Sequence, residues 1–125
     1  MNLLLDTHVL IWALENNPKL SVEAREAIID GKNLVFVSAA SAWEISIKEA
    51  MGKIEIPDNL IKEINQHRFI QLNIDFDHVR LAGKLPDIHK DPFDRMLIAQ
   101  AIIEKLTLVT RDRLIARYDV NLLDA

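Results

Sequence analysis

Four acidic residues, Asp6, Glu44, Asp94 and Asp112, stand at the edges of regular elements in this 125-residue chain. Carboxylates crowded together repel one another and take up protons unless a cation neutralises them. The chain has no cysteine, so a bound metal would need oxygen or imidazole ligands, a donor set that favours hard ions such as magnesium or manganese. Such an ion activates water and stabilises charge on a transferring phosphoryl group, which makes phosphodiester hydrolysis the first chemistry to expect. Taken singly, each residue has a simpler role: Glu44 as a helix cap, Asp94 as a partner of a helix dipole, Asp6 and Asp112 as turn residues. Their convergence therefore depends on the elements that carry them.

Short β-rich runs alternate with longer helical patterns, the rhythm of an α/β fold. Asn2–Leu5 reads as a buried strand, followed by Asp6-Thr7 and a helix from His8 to Glu15 that Asn16-Asn17-Pro18 stops. Ser21 caps a second helix to Asp30, with Gly31 as a left-handed terminator, and Leu34–Val37 forms the next strand. Ser41 and Glu44 have capping-box spacing in a helix that ends near Met51-Gly52. Beyond Pro57-Asp58, the positions of Leu60, Ile61 and Ile64 suit a helix, and Phe69–Leu72 a short strand.

Asp75–Leu85 is expected to be helical with Val79 and Ala82 at core spacing, and Pro86–Lys90 to be a loop carrying His89. Asp91-Pro92 opens a long helix to Lys105, followed by a strand at Thr107–Thr110, a short helix at Arg111–Arg117 and a closing strand at Val120–Leu123. Crossovers of helical length between short strands require mainly parallel pairing, which gathers the four carboxylates at one rim of the sheet.

Half of the residues are apolar, enough for the core of one domain spanning residues 1–125. There is no repeat, low-complexity segment, secretory signal or spanning stretch, so the chain reads as soluble and intracellular. The net charge of −4 is not that of a dedicated nucleic-acid binder, yet its distribution is uneven. Lys84–Arg117 holds seven Lys or Arg against five Asp or Glu, whereas Met1–Gly83 holds eight against twelve. The basic excess thus accompanies two of the four carboxylates, either as solvated helix faces or as a funnel for a polyanion.

Residues around the quartet carry competing readings. Asp91 is most simply the N-cap before Pro92. Arg95 either holds a substrate phosphate or orients a carboxylate. Lys48, four residues after Glu44, makes a helix pair or faces substrate, and Arg111 and Arg113 read as solvated surface or contacts to a polyanion. His8 reads as a helix-start residue packed beside the site and His89 as a loop residue at its mouth, with general-acid roles as the alternative. Trp12 and Trp43, placed with Ile11 and Ile47, are expected to be buried in the core or in a subunit interface.

The run Leu3–Trp12 with its Asp6-Thr7-His8, then Ser41–Ile45 with Lys48 and Gly52-Lys53, then Asp91–Gln100, then Leu108–Asp112, resembles in content and order the PIN-domain ribonucleases. Within these it most resembles the VapC toxins of bacterial toxin–antitoxin pairs, over essentially the whole chain. The resemblance implies a PIN-like three-layer α/β/α fold with a central, mainly parallel sheet. It also implies that Asp6, Glu44, Asp94 and Asp112 are metal-binding and catalytic, with Thr7 and Thr110 as hydroxyl positions near them. It further implies Mg2+- or Mn2+-dependent endoribonuclease activity on structured RNA, a cognate VapB-like antitoxin that places part of its chain in the site, and a cytoplasmic homodimer. Two positions depart from the pattern: His8 replaces another polar residue, and Arg113-Leu114-Ile115 lacks an acidic residue that some relatives use toward a second ion.

Two other classes share some of these features. A receiver-like phosphoacceptor domain needs an aspartate directly after its central strand, but Leu72 is followed by Asn73, and no lysine follows Lys105. A non-catalytic module would use the acidic rim to grip a basic partner. A nucleotide-binding Rossmann domain is disfavoured, because the three glycines form no phosphate loop.

Overall fold

Leu3, Leu4 and Leu5 are all fully buried, so the first strand, β1 (Asn2–Leu5), is covered on both faces. An unbroken apolar run is what a central strand of a parallel sheet requires. In the computed structural model, which describes residues 1–56 and 59–125, β1 lies at the middle of a five-stranded sheet. It pairs with β2 (Leu34–Ser38) and β4 (Thr107–Thr110), while β3 (Ile70–Leu72) and β5 (Leu122–Asp124) form the edges. All four pairings are parallel, with Leu4 opposite Phe36 on one side and Leu108 on the other. The order β3-β2-β1-β4-β5 reverses direction at β1, so the switch point of this doubly wound sheet lies between the carboxyl ends of β1 and β4.

Alternation along β1 divides the core in two. Leu3 and Leu5 pack with Val9 and Leu10 of α1 (Thr7–Glu15), Ala24 of α2 (Val22–Ile29), Ile45 of α3 (Ala39–Ala50) and Ile64 of α4 (Leu60–Gln66). Leu4 faces the opposite way, against Leu97, Ile98 and Ala101 of α6 (Pro92–Glu104), with Ile115 and Tyr118 alongside. Helix α5 (Phe76–Lys84) packs on α6 from outside. The expected three-layer arrangement is the one the chain adopts.

Several local expectations are corrected. Helix α3 starts at Ala39, earlier than the proposed capping box, because Ser38 accepts the Ala40 N–H; Ser41 lies inside the helix and accepts from the Thr7 hydroxyl instead. Helix α2 ends on Asp30 in an extended conformation, with Asp30 Oδ1 accepting the Lys32 N–H, so Gly31 is no left-handed terminator. Gly52 after α3 does adopt φ 70°, which glycine takes without strain. Val79 is half exposed, and the real inward residue of α5 is His78, which forms a capping box with Asp75. The short helix after β4 shrinks to one 3-10 turn at Ile115–Arg117, and the last strand is displaced to Leu122–Asp124. The expected break at Pro57-Asp58 lies outside the described residues. The strand that a receiver-like domain needs at its centre, β3, is here an edge.

Candidate active site

Asp6 leaves β1 as the N-cap of α1, where Oδ1 accepts the Val9 N–H at 2.8 Å. Its other oxygen accepts the Thr110 hydroxyl at 2.5 Å, and the same Thr110 oxygen accepts the Asp112 N–H at 3.1 Å. The end of β4 is thereby tied to the end of β1 across the switch point. Burial pushes the Asp6 carboxyl above its ordinary range, against the lowering effect of its Thr110 and Val9 bonds.

Asp112 accepts the Leu114 N–H on Oδ1 at 2.8 Å and faces His89 Nε2 with Oδ2 at 2.9 Å. Burial alone would raise this carboxyl, but the bonds from His89 and Leu114 outweigh it and hold it below the usual range. Asp94, in the first turn of α6, places Oδ2 3.0 Å from the same His89 nitrogen. Burial, then repulsion from Asp91, pushes Asp94 up to about 7, with His89 opposing and Asp6 and Glu44 adding to the rise. Glu44 is buried on α3, its Oε2 2.8 Å from Lys48 Nζ. Asp91 caps α6, with Oδ1 accepting from Phe93 and Asp94.

Asp6, Thr7, Glu44, Lys48, Asp94 and Asp112 line one cleft of about 280 Å3, together with His8, Trp12, Asp91 and Arg111. Thr110 lies beneath it through its bond to Asp6. Arg95 stands apart, and neither role weighed for it matches its contacts. Its guanidinium donates to the carbonyls of Ala82, Leu85, Pro86 and His89, which stitches α5 and the following loop to α6. Trp43 is 63% exposed and edge-on to Phe93 at 5.1 Å, so of the two readings only the subunit interface is left for it; Trp12 is partly buried, with Arg111 stacked over it at 4.7 Å.

Five carboxylates against Lys48 and Arg111 in one cleft form a donor set suited to a hard divalent cation. Among the described residues, His89, Asp94 and Asp112 bring donor atoms close enough to share one ion, and Asp6 and Glu44 line the same cleft. The sequence reading underweighted His89, which sits between Asp94 and Asp112, and missed Tyr118, whose hydroxyl holds the His89 loop. His89 had a signal in its spacing, two residues before the cap of the helix that carries Asp94; Tyr118 had none.

A doubly wound sheet with a carboxylate cleft at its switch point is the architecture of a known class, and the family model for the PIN domain matches residues 3–121. The chain belongs to the PIN domain family. It is 29% identical over 121 residues to Ribonuclease VapC22 of Mycobacterium tuberculosis, covering 88% of this chain and 86% of that protein. Its fold is similar to that in VapBC2 from Rickettsia felis bound to a DNA fragment from their promoter, with TM-score 0.73 and 17% identity over 99% of this chain and 98% of the other. It is also similar to a chain of DNA-bound VapBC from Salmonella typhimurium, with TM-score 0.71 and 20% identity over 99% and 98%. Among the described residues no helix is long and apolar enough to cross a membrane.

Proposed function

We propose that this chain is a metal-dependent endoribonuclease and the toxin of a VapBC-type toxin–antitoxin pair, working in the cytoplasm as one domain spanning residues 1–125. The observation that carries the reading is the convergence of Asp6, Glu44, Asp94 and Asp112 in one cleft at the sheet's switch point. Membership of the PIN domain family and the likeness to a protein named as a ribonuclease support it. When bound, a Mg2+ or Mn2+ ion supplies Lewis-acid stabilisation of the transferring phosphoryl group and an activated water.

The chain's own residues do the rest. Asp6, Glu44, Asp94 and Asp112 hold the ion. The Thr110 hydroxyl fixes Asp6 and supports the backbone of Asp112, so the two strand ends keep their spacing. Thr7 stays buried against Ser41 and ties the start of α1 to α3. Lys48 balances Glu44 and, with Arg111, offers positive charge to the RNA backbone at the mouth of the cleft.

The partner follows by analogy with the toxin–antitoxin complexes of similar fold. A cognate VapB-like antitoxin restrains the enzyme by laying part of its chain in the cleft. A homodimer covers the exposed stripe of Trp43 and Ile47 on α3 and Met51 at its C-cap, and sedimentation of the purified chain tests it.

The deciding experiment is cleavage of total cellular RNA by antitoxin-free protein with Mg2+, with Mn2+ and with chelator, alongside Asp6→Asn and Asp94→Asn. Discrete cuts that need metal and vanish in both variants are expected. Folded protein that cuts nothing under any condition would leave a non-catalytic module gripping a basic partner.

A further inference from the structure

The chemistry above leaves His89 without a task, although its imidazole is buried beside two of the cleft's carboxylates. Nε2 lies 3.0 Å from Asp94 Oδ2 and 2.9 Å from Asp112 Oδ2. His89, Asp94 and Asp112 have donor atoms close enough to share one metal ion, so the imidazole is either a ligand or a hydrogen-bond donor to the ligands. Its other ring nitrogen distinguishes the two. Nδ1 receives the backbone N–H of Asp91 at 3.2 Å. A ring nitrogen that accepts a hydrogen bond carries no hydrogen, so the hydrogen sits on Nε2, which then has no lone pair to offer an ion. A histidine that binds metal shows the reverse pattern, donating its second N–H to a carboxylate or carbonyl.

We propose, resting on the metal-dependent reading above, that His89 is a positioning residue: its Nε2–H donates to Asp112 Oδ2 and lies 3.0 Å from Asp94 Oδ2, which holds the carboxylate after β4 beside the carboxylate of α6 and leaves their remaining lone pairs for the ion. The backbone around His89 is built to aim that one N–H. Tyr118 Oη accepts the N–H groups of His89 at 2.8 Å and Ile88 at 3.3 Å, and donates to Pro86 O at 2.7 Å. Arg95 Nη1 donates to His89 O at 3.1 Å and to Pro86 O at 3.0 Å. The loop is thus gripped from both sides, while α6 supplies the Asp91 N–H that selects the tautomer.

The clamp and the ligand make opposite predictions for metal selectivity. Losing an all-oxygen site's clamp weakens Mg2+ and Mn2+ alike, whereas losing a nitrogen ligand weakens Mn2+ more. The test is calorimetric titration of wild type, His89→Ala and His89→Gln with each ion, each variant checked by thermal melting, together with the electron paramagnetic resonance spectrum of the Mn2+-loaded wild type. Expected are a fall of about 10- to 100-fold in affinity for both ions in His89→Ala, partial rescue by the amide N–H of His89→Gln, and no nitrogen coupling to manganese. Unchanged affinity in a folded His89→Ala, or nitrogen coupling with a loss confined to Mn2+, overturns the clamp. Wild type that binds neither ion overturns the nuclease reading and the clamp together, and that result is separate because it involves no variant.

Discussion

Asp94 concentrates the electrostatic strain of the cleft, since burial and its acidic neighbours raise it to about 7 while His89 draws it down. Asp94→Asn removes the charge at almost constant volume. It should lower RNA cleavage by about two orders of magnitude or more, the scale of losing one positioned transition-state contact, with an unaltered circular dichroism spectrum. The raised carboxyl also sets a pH dependence. Below about 7 a proton occupies Asp94 and an incoming cation must displace it, so apparent Mg2+ affinity should climb with pH up to about 7 and level off above it. A flat affinity between pH 5.5 and 8 would contradict that assignment. At this scale the acidic residues were readable from the sequence because strand ends and helix starts are marked locally. Arg95 and His89 were not, because their roles depend on carbonyls and carboxylates brought in from separate elements.

The opening of α6 is where one element depends most on others. Tyr118→Phe would strip the hydroxyl that serves His89 N–H, Ile88 N–H and Pro86 O, and should cost about 1–3 kcal/mol in urea unfolding while lowering cleavage through His89. Ser38→Ala, which removes the cap of α3, should cost about 1 kcal/mol in the same assay. Element boundaries slipped in the sequence reading for a related reason. Ser38 and Ser41 are both capping residues by type, and the Thr7 contact that engages Ser41 joins residues far apart in the chain. Val79 suited a buried face by spacing, yet α5 turns His78 inward, a choice fixed by the capping box with Asp75 and by α6. The exposed Trp43 likewise answers to what lies outside α3 and not to its own periodicity.

Across the whole molecule, β1 is the member that both halves of the core share. Leu4→Ala, fully buried against α6, should cost about 2–5 kcal/mol in chemical unfolding, far more than the same change at exposed Leu122. The α/β class and parallel pairing were readable because a run of apolar residues without alternation marks a strand covered on both faces. The order β3-β2-β1-β4-β5 was not, since nothing local in Thr107–Thr110 says that it returns beside Leu3–Leu5.

The Asp6–Thr110 hydrogen bond joins residues 104 apart in the sequence. β4 reaches its place beside β1 only after all the elements between them have been made, and such distant pairings form slowly. A ribosome making this protein therefore carries an incomplete cleft until β4 has been made. If the cleft cuts RNA as proposed, the hazard to the cell begins when Thr110 settles beside Asp6, and that is the moment at which an inhibitor must already be waiting.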